Sequence, residues 1–299
     1  MKQNFYKSFL VTALLFFNIT ISANEKFIVS TDWLSKHIND KNIIIFQVGE
    51  KDNYEDEHIP GAYFIDYNDY APEMNGLYRQ MPSVEKLKTV FESYGITNNS
   101  KIVLYTTDWI TPMTRLYLAL DFIGLGDNTA ILDGGIEKWK NEKRETTETV
   151  PAKKKGNIIP KKNDIIAAKE FLLKNLNNSG ITIIDARTED YYSATSEHDN
   201  YPRPGHITGA FNIQFTDLTS EKSPYLFKSE NELKKIFEKA FVKKDNTTVA
   251  YCHIGQQASL VYFVGKILGY NMKLYDGSFQ EWSADENCPV TGKVKVKRN

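Results

Sequence analysis

Thr248-Val249-Ala250-Tyr251, then Cys252-His253-Ile254-Gly255-Gln256-Gln257, then Ala258 to Leu268 make up the stretch that decides the fold. The first four residues are a short apolar run, of the kind a strand buried on both faces requires. The last segment carries Leu260, Val261, Phe263, Val264, Ile267 and Leu268 at helical spacing and stops at Gly269. The loop between them joins the carboxyl end of a strand to the mouth of a helix. Ligands of open α/β sheets bind at that edge, and loop amides together with the helix dipole favour negative charge there. Such a setting can lower a thiol pKa from about 8.5 to about 3.5–7.5. Cys252 is therefore expected to be a thiolate nucleophile at neutral pH. Gly255 is expected to supply the left-handed turn that curls amides around its sulfur.

Working outward, the same plan occurs twice. Ile102-Val103-Leu104-Tyr105 answers Thr248 to Tyr251, and His58-Ile59-Pro60-Gly61-Ala62 recurs as His206-Ile207-Thr208-Gly209-Ala210. Leu132-Asp133-Gly134-Gly135 with Trp139 answers Tyr275-Asp276-Gly277-Ser278 with Trp282, and Ile43 to Val48 answers Ile181 to Ala186. Four blocks kept in one order indicate duplication of a whole domain. Helical spacing over Glu85 to Tyr94 and Glu230 to Phe241 separates the strands, so each unit reads as α/β, a mainly parallel sheet flanked by helices. The expected organisation is a first domain over 25–145, a linker over 146–159, a second domain over 160–292 and a basic tail over 293–299. The region from Lys143 to Asp164 holds Pro151, Pro160 and Lys153-Lys154-Lys155 with little apolar periodicity, and reads as a solvated connection.

Composition narrows the function classes. The 299 residues carry a formal net charge of -1, which argues against nucleic acid as a partner. Beyond the N-terminus no apolar run is long enough to span a membrane. Lys2 and Lys7, the apolar Phe9 to Phe17 and the small pair Ser22-Ala23 read as a signal peptide over 1–23, and hence as an exported, periplasmic or secreted protein. The alternative is an uncleaved membrane anchor, for which the apolar run is short. Two cysteines make no disulfide framework, although a Cys252–Cys288 bridge stays open. Cys288 reads as a small buried apolar residue. Five histidines and two cysteines are scattered without ligand-like spacing, so no metal is expected.

These pieces, with Ser30-Thr31-Asp32-Trp33-Leu34, Asp185-Ala186-Arg187, Arg203-Pro204-Gly205-His206 and Pro289-Val290-Thr291-Gly292, resemble the tandem-domain rhodanese family, which includes thiosulfate and 3-mercaptopyruvate sulfurtransferases. The resemblance covers nearly all of the chain after residue 23. It implies two tandem rhodanese-like domains and a transfer of sulfane sulfur from a small anionic donor through a Cys252 persulfide. The acceptor it implies is cyanide, a thiol or a protein, and no cofactor takes part. The first domain is then non-catalytic and lends one wall to the site. Aligning Tyr105 with Tyr251 puts Thr106 opposite Cys252, and Thr106 to Pro112 holds no strong nucleophile. By the same resemblance Arg187 projects toward the loop and holds the donor's anionic end, as a guanidinium fork suits. His253, Ile254, Gly255, Gln256 and Gln257 form the substrate-binding loop. Asp185, Arg203 and Trp33 are further candidates, each of which also reads as structural: an orienting or capping carboxylate, a surface cation and a core aromatic. His58 and His206 recur in both copies and read as structural.

The sequence departs from the family within the loop. It has none of the basic residues common in thiosulfate enzymes, and His253-Ile254 stands where mercaptopyruvate enzymes have Gly-Ser-Gly or a relative. The missing loop cations argue for mercaptopyruvate over thiosulfate. A cysteine phosphatase is disfavoured, because the sixth residue after Cys252 is Ala258 rather than the arginine that clamps a phosphoryl group. A non-enzymatic sulfur or redox carrier that docks a partner through Cys252 is the remaining rival.

Overall fold

The computed structural model describes residues 26–107, 109–196 and 202–292. The signal-peptide and basic-tail readings fall outside them. Among the described residues twelve strands form, and ten of them build two five-stranded parallel sheets. The first sheet contains β1 (Ile28–Val29), β2 (Ile43–Val48), β3 (Ala62–Phe64), β4 (Lys101–Thr106) and β5 (Thr129–Leu132), in the order β1-β5-β4-β2-β3. The second contains β6 (Ile166–Ala167), β7 (Ile181–Asp185), β9 (Phe211–Asn212), β10 (Thr247–Tyr251) and β11 (Asn271–Tyr275), in the order β6-β11-β10-β7-β9. Matched strand for strand, the two orders are the same. Each sheet places the strand before its signature loop, β4 or β10, in the centre. A small antiparallel pair, β8 (His206–Ile207) with β12 (Val290–Thr291), closes the second domain.

Side-chain alternation along the strands sorts the core. Ile45, Val103 and Tyr105 point to an outer cluster of the first domain, and Ile183, Val249 and Tyr251 to an outer cluster of the second. The intervening residues, Phe46, Leu104, Ile184, Ala250 and Cys252, enter one cluster shared by both domains. Helices Ile110–Phe122 and Gln257–Ile267 fill that shared core, which explains why both are apolar nearly all round. They meet face to face. Tyr117 packs edge-on against Phe263 with centroids 4.7 Å apart, Thr114 hydrogen-bonds Ser259 at 2.8 Å, and Tyr262 donates to Asp121 at 2.5 Å.

The duplication extends to buried polar detail. His58 stacks on Tyr54 at 4.0 Å and His206 on Tyr192 at 3.9 Å, and each ring Nδ1 contacts the carbonyl of its stacking tyrosine. Both histidines hold a turn.

The connection between the domains differs from a solvated linker. Thr147 pairs with His58 through both backbone bonds, Gly156 N donates to Glu92 O at 2.7 Å, Lys161 N to Ile123 O at 2.9 Å, and Ile158 is buried. The segment is a strap laid along the first domain. It uses loop carbonyls and lacks helical or strand periodicity, which is why its docking left no pattern in the sequence. Gly156 is required by close approach, since a Cβ there would meet Ile96 O at 2.0 Å. Lys153, Lys154 and Lys155 stay exposed. Among the described residues no helix is long and apolar enough to cross a membrane.

Candidate active site

The site grows from the end of β10. Parallel strands end with their carbonyls at one edge, and helix Gln257–Ile267 begins there with unpaired amides. Cys252 stands between the two, 0% exposed, on the floor of a cleft between the domains. Its sulfur accepts hydrogen bonds from the backbone amides of Ala258, Ile254, Gly255 and Gln257. Gly255 makes this ring possible with φ +84°, and a Cβ there would stand 3.2 Å from both an Arg115 nitrogen and Asp276 O. The turn after β11 supports the cysteine from below. Ser278, itself at φ +53°, accepts from Cys252 N at 3.3 Å, and Phe279 N donates to Cys252 O at 2.9 Å.

The electrostatics correct one expectation. Burial pushes the Cys252 thiol above its ordinary value, and the four amides offset this only in part. The sequence placed the cysteine at a helix mouth correctly but gave no measure of how completely the shared core closes over it. Desolvation of the thiolate outweighs the amide cradle.

The loop residues expected around the substrate divide. His253, Ile254, Gln256 and Gln257 line the cleft with Cys252, whereas Gly255 lies behind them against Arg115. His253 meets Tyr191 edge-on at 4.7 Å, and Gln256 donates across the domains to Thr111 at 3.2 Å.

None of Arg187, Asp185, Arg203 and Trp33 lines the cleft. Arg187 is 1% exposed; its Nε and Nη2 are taken by the Asp185 carboxylate, at 2.5–3.1 Å, and by Gly205 O at 2.6 Å. Burial opposes the charge on Arg187, and Asp185 more than restores it, leaving its pKa above the ordinary value. Asp185 also accepts from Tyr251 at 2.6 Å. In the first domain Gln47 plays that part toward Tyr105, at 2.6 Å, with Gly49 in place of the arginine. The Asp185–Arg187 pair is thus an ionic version of a structural hydrogen bond present in both copies. Arg203 donates to the carbonyls of Trp282, Ser283, Asp285 and Cys288 and closes the end of helix Ser278–Ala284. Trp33 stacks on His37 at 4.1 Å and packs on the outer cluster of the first domain. Cys288 is buried in the outer cluster of the second domain, and both cysteines are free.

The opposite wall of the cleft comes from the first domain, through residues that the sequence did not single out. Tyr67, Arg79 and Trp109 line it. Arg115 sits behind, 0% exposed, and ties the wall to the loop. It donates to Asp276 at 2.6 Å, to Arg79 O at 2.5 Å and to Gly255 O at 3.4 Å. One signal was legible: Arg115 is the sole charged side chain amid Ile110 to Leu120, a run otherwise suited to full burial. Tyr67 opens the short helix Tyr67–Tyr70 and Arg79 lies in an irregular segment, and neither has a spacing relation to Cys252.

Thr106 ends β4 opposite Cys252 in the duplication. The loop that follows is shorter, because helix Ile110–Phe122 starts sooner, and Pro112 removes an amide from its first turn.

Known proteins resemble the chain over most of its length. A protein of Saccharopolyspora erythraea, provisionally named a thiosulfate sulfurtransferase, is 28% identical over 281 residues, 90% of this chain and 97% of its own length. The sulfur carrier protein TtuD of Thermus thermophilus is 31% identical over 285 residues, 90% of this chain and 97% of that protein. Among solved structures, the 3-mercaptopyruvate sulfurtransferase SseA of Escherichia coli superposes with a TM-score of 0.74 at 26% identity, covering 84% of this chain and 98% of that one. The family description "Rhodanese-like domain" matches residues 30–142 and again 168–285. With both halves of the sheet architecture and both sequence matches in place, the chain belongs to the rhodanese family as a tandem of two Rhodanese-like domains.

Proposed function

We propose that the chain is a sulfurtransferase in which Cys252 carries the sulfur. The observation that supports this most directly is the ring of four amides around the Cys252 sulfur at a helix mouth. Such a ring serves an anionic sulfur equally well as a thiolate and as the outer atom of a persulfide. With thiosulfate, the thiolate attacks the sulfane sulfur; the S–S bond of the donor breaks and sulfite leaves with the electron pair. With 3-mercaptopyruvate, the C–S bond breaks; the enolate of pyruvate leaves and takes up the proton of the donor thiol. In both cases Cys252 becomes a persulfide anion. Cyanide or a thiolate then attacks the outer sulfur, and the Cys252 thiolate returns. The absence of Lys or Arg from Cys252 to Gln257 favours 3-mercaptopyruvate, whose carboxylate lies away from the transferred sulfur. Residues 1–23 are proposed to direct export, and the N-terminal residue of the mature protein tests that.

Cys252→Ser should abolish turnover with either donor while the far-ultraviolet dichroism stays unchanged. Intact mass of the parent after donor treatment should show one added sulfur on Cys252. Turnover by Cys252→Ser would overturn the reading. A second reading is a sulfur carrier that loads Cys252 and discharges only to a partner protein. The TtuD relative and the 65% exposed Trp109 at the cleft rim support it. It predicts a persulfide that cyanide and small thiols do not remove.

A further inference from the structure

We infer that the anionic head of the sulfur donor is held by Arg79 and the Tyr67 hydroxyl, both from the domain that has no cysteine. The inference rests on the sulfurtransferase reading for the class of ligand, a small carboxylate or thiosulfonate.

The backbone of Arg79 points to a functional position. It has φ +61°, a left-handed conformation that costs a non-glycine residue about 1–3 kcal/mol and persists only where the surroundings over-determine it. The surroundings do so from both domains. Arg115 donates to Arg79 O, the Gln80 side chain donates to Asp276 O at 3.3 Å, and Met81 N donates to the Asp276 carboxylate at 2.6 Å. Tyr78 is bound on its other side by Gln280, through two bonds of 3.0 Å. The Arg79 side chain is thereby presented to the cleft that holds Cys252.

Its guanidinium lies over the Tyr67 ring, with the central carbon 3.8 Å from the centroid. That contact restrains the side chain and occupies no N–H donor. Among the described residues no carboxylate pairs with the Arg79 side chain. Lys51, the other cation lining the cleft, is already paired with Glu55 at 2.6 Å.

Tyr67 supplies the independent observation. Its hydroxyl is buried and has no hydrogen-bond partner among the described residues. A buried hydroxyl left unpaired is unfavourable, and an anion would satisfy it. Burial also raises its pKa, so it remains a donor, and Arg79, Arg115 and Cys252 are all near enough to act on its charge. A guanidinium fork and a buried O–H donor, opposite a sulfur nucleophile, suit a planar carboxylate or the oxygens of a thiosulfonate. Arg187 cannot serve in the same way, because Asp185 occupies its fork.

The test uses Arg79→Gly and Tyr67→Phe, each also made in Cys252→Ser. Glycine accepts the left-handed backbone, so Arg79→Gly deletes the guanidinium and relieves strain together. Calorimetric titration of the Cys252→Ser forms with pyruvate and with sulfite reads binding without chemistry. Each variant should weaken binding about tenfold or more, as the removal of a charge-assisted hydrogen bond does. In the active protein, donor kcat/KM should fall by the same factor while the acceptor KM stays constant. Arg79→Gly should melt at or above the parental temperature. Binding within twofold of the parent, or a fall in melting temperature that accompanies weak binding, would overturn the inference. Anion binding by Cys252→Ser without any sulfur transfer by the parent would sink the sulfurtransferase reading and leave the anion site standing. Normal turnover with Arg79→Gly would do the reverse.

Discussion

Replacing Arg115 with methionine removes the charge that joins the two domains behind the cleft. The side chain is fully buried, and its partner Asp276, at 2.6 Å, is only 12% exposed. Removing one member of a buried pair costs ~3–5 kcal/mol, because the other charge is left uncompensated. Asp276 keeps the Met81 amide, which places the expectation at the lower end, about 3 kcal/mol. Methionine keeps most of the volume, so the cavity contribution is small. At ~2–4 °C per kcal/mol, the melting temperature should fall by about 6–12 °C. Thermal melts followed by circular dichroism read this directly. Joining Arg115→Met to Asp276→Leu removes the stranded charge and should restore most of the stability. Activity should stay low in the double variant, since Arg79 O and Gly255 O have lost their common donor. A fall of less than about 2 °C for the single variant, or a double variant no more stable than the single, would refute the reasoning.

Two further outcomes follow from the site. Burial raises the Cys252 pKa, and the thiolate is the reactive form, so the free protein holds little thiolate at neutral pH. Donor kcat/KM should therefore climb with pH through neutrality and go on climbing past the ordinary thiol value of about 8.5; a profile flat above pH ~7 would show that the amides outweigh burial after all. Thr106→Cys should acquire no persulfide that turns over at a rate comparable to Cys252, because its loop is shorter and Pro112 lacks an amide. Equal labelling of both cysteines by donor, read by mass spectrometry, would contradict this.

What the sequence determined by itself is what local chemistry and repetition encode. The order of apolar runs and turn motifs gave two α/β domains, and the step from Tyr251 to Cys252 put one nucleophile at the edge of one sheet. The unbroken, largely apolar runs within Ile43–Val48 and Thr247–Tyr251 required both faces of each sheet to be covered. His58 and His206 could be set aside because duplication kept both. Tertiary structure decided everything that depends on distance between chain segments. Arg187 was matched to a ligand role by its place in a motif, but whether a guanidinium faces a cleft or a carboxylate depends on its neighbours, and Asp185 is two residues away. Arg79 and Tyr67 share a cleft with Cys252 because helices Ile110–Phe122 and Gln257–Ile267 bury their apolar faces against each other. The linker became a strap for the same reason: its partners, Glu92, Ile96 and Ile123, are backbone carbonyls whose positions no side-chain pattern records. Even the acidity of Cys252 belongs to the tertiary level, since desolvation depends on how many layers of both domains close over one sulfur atom.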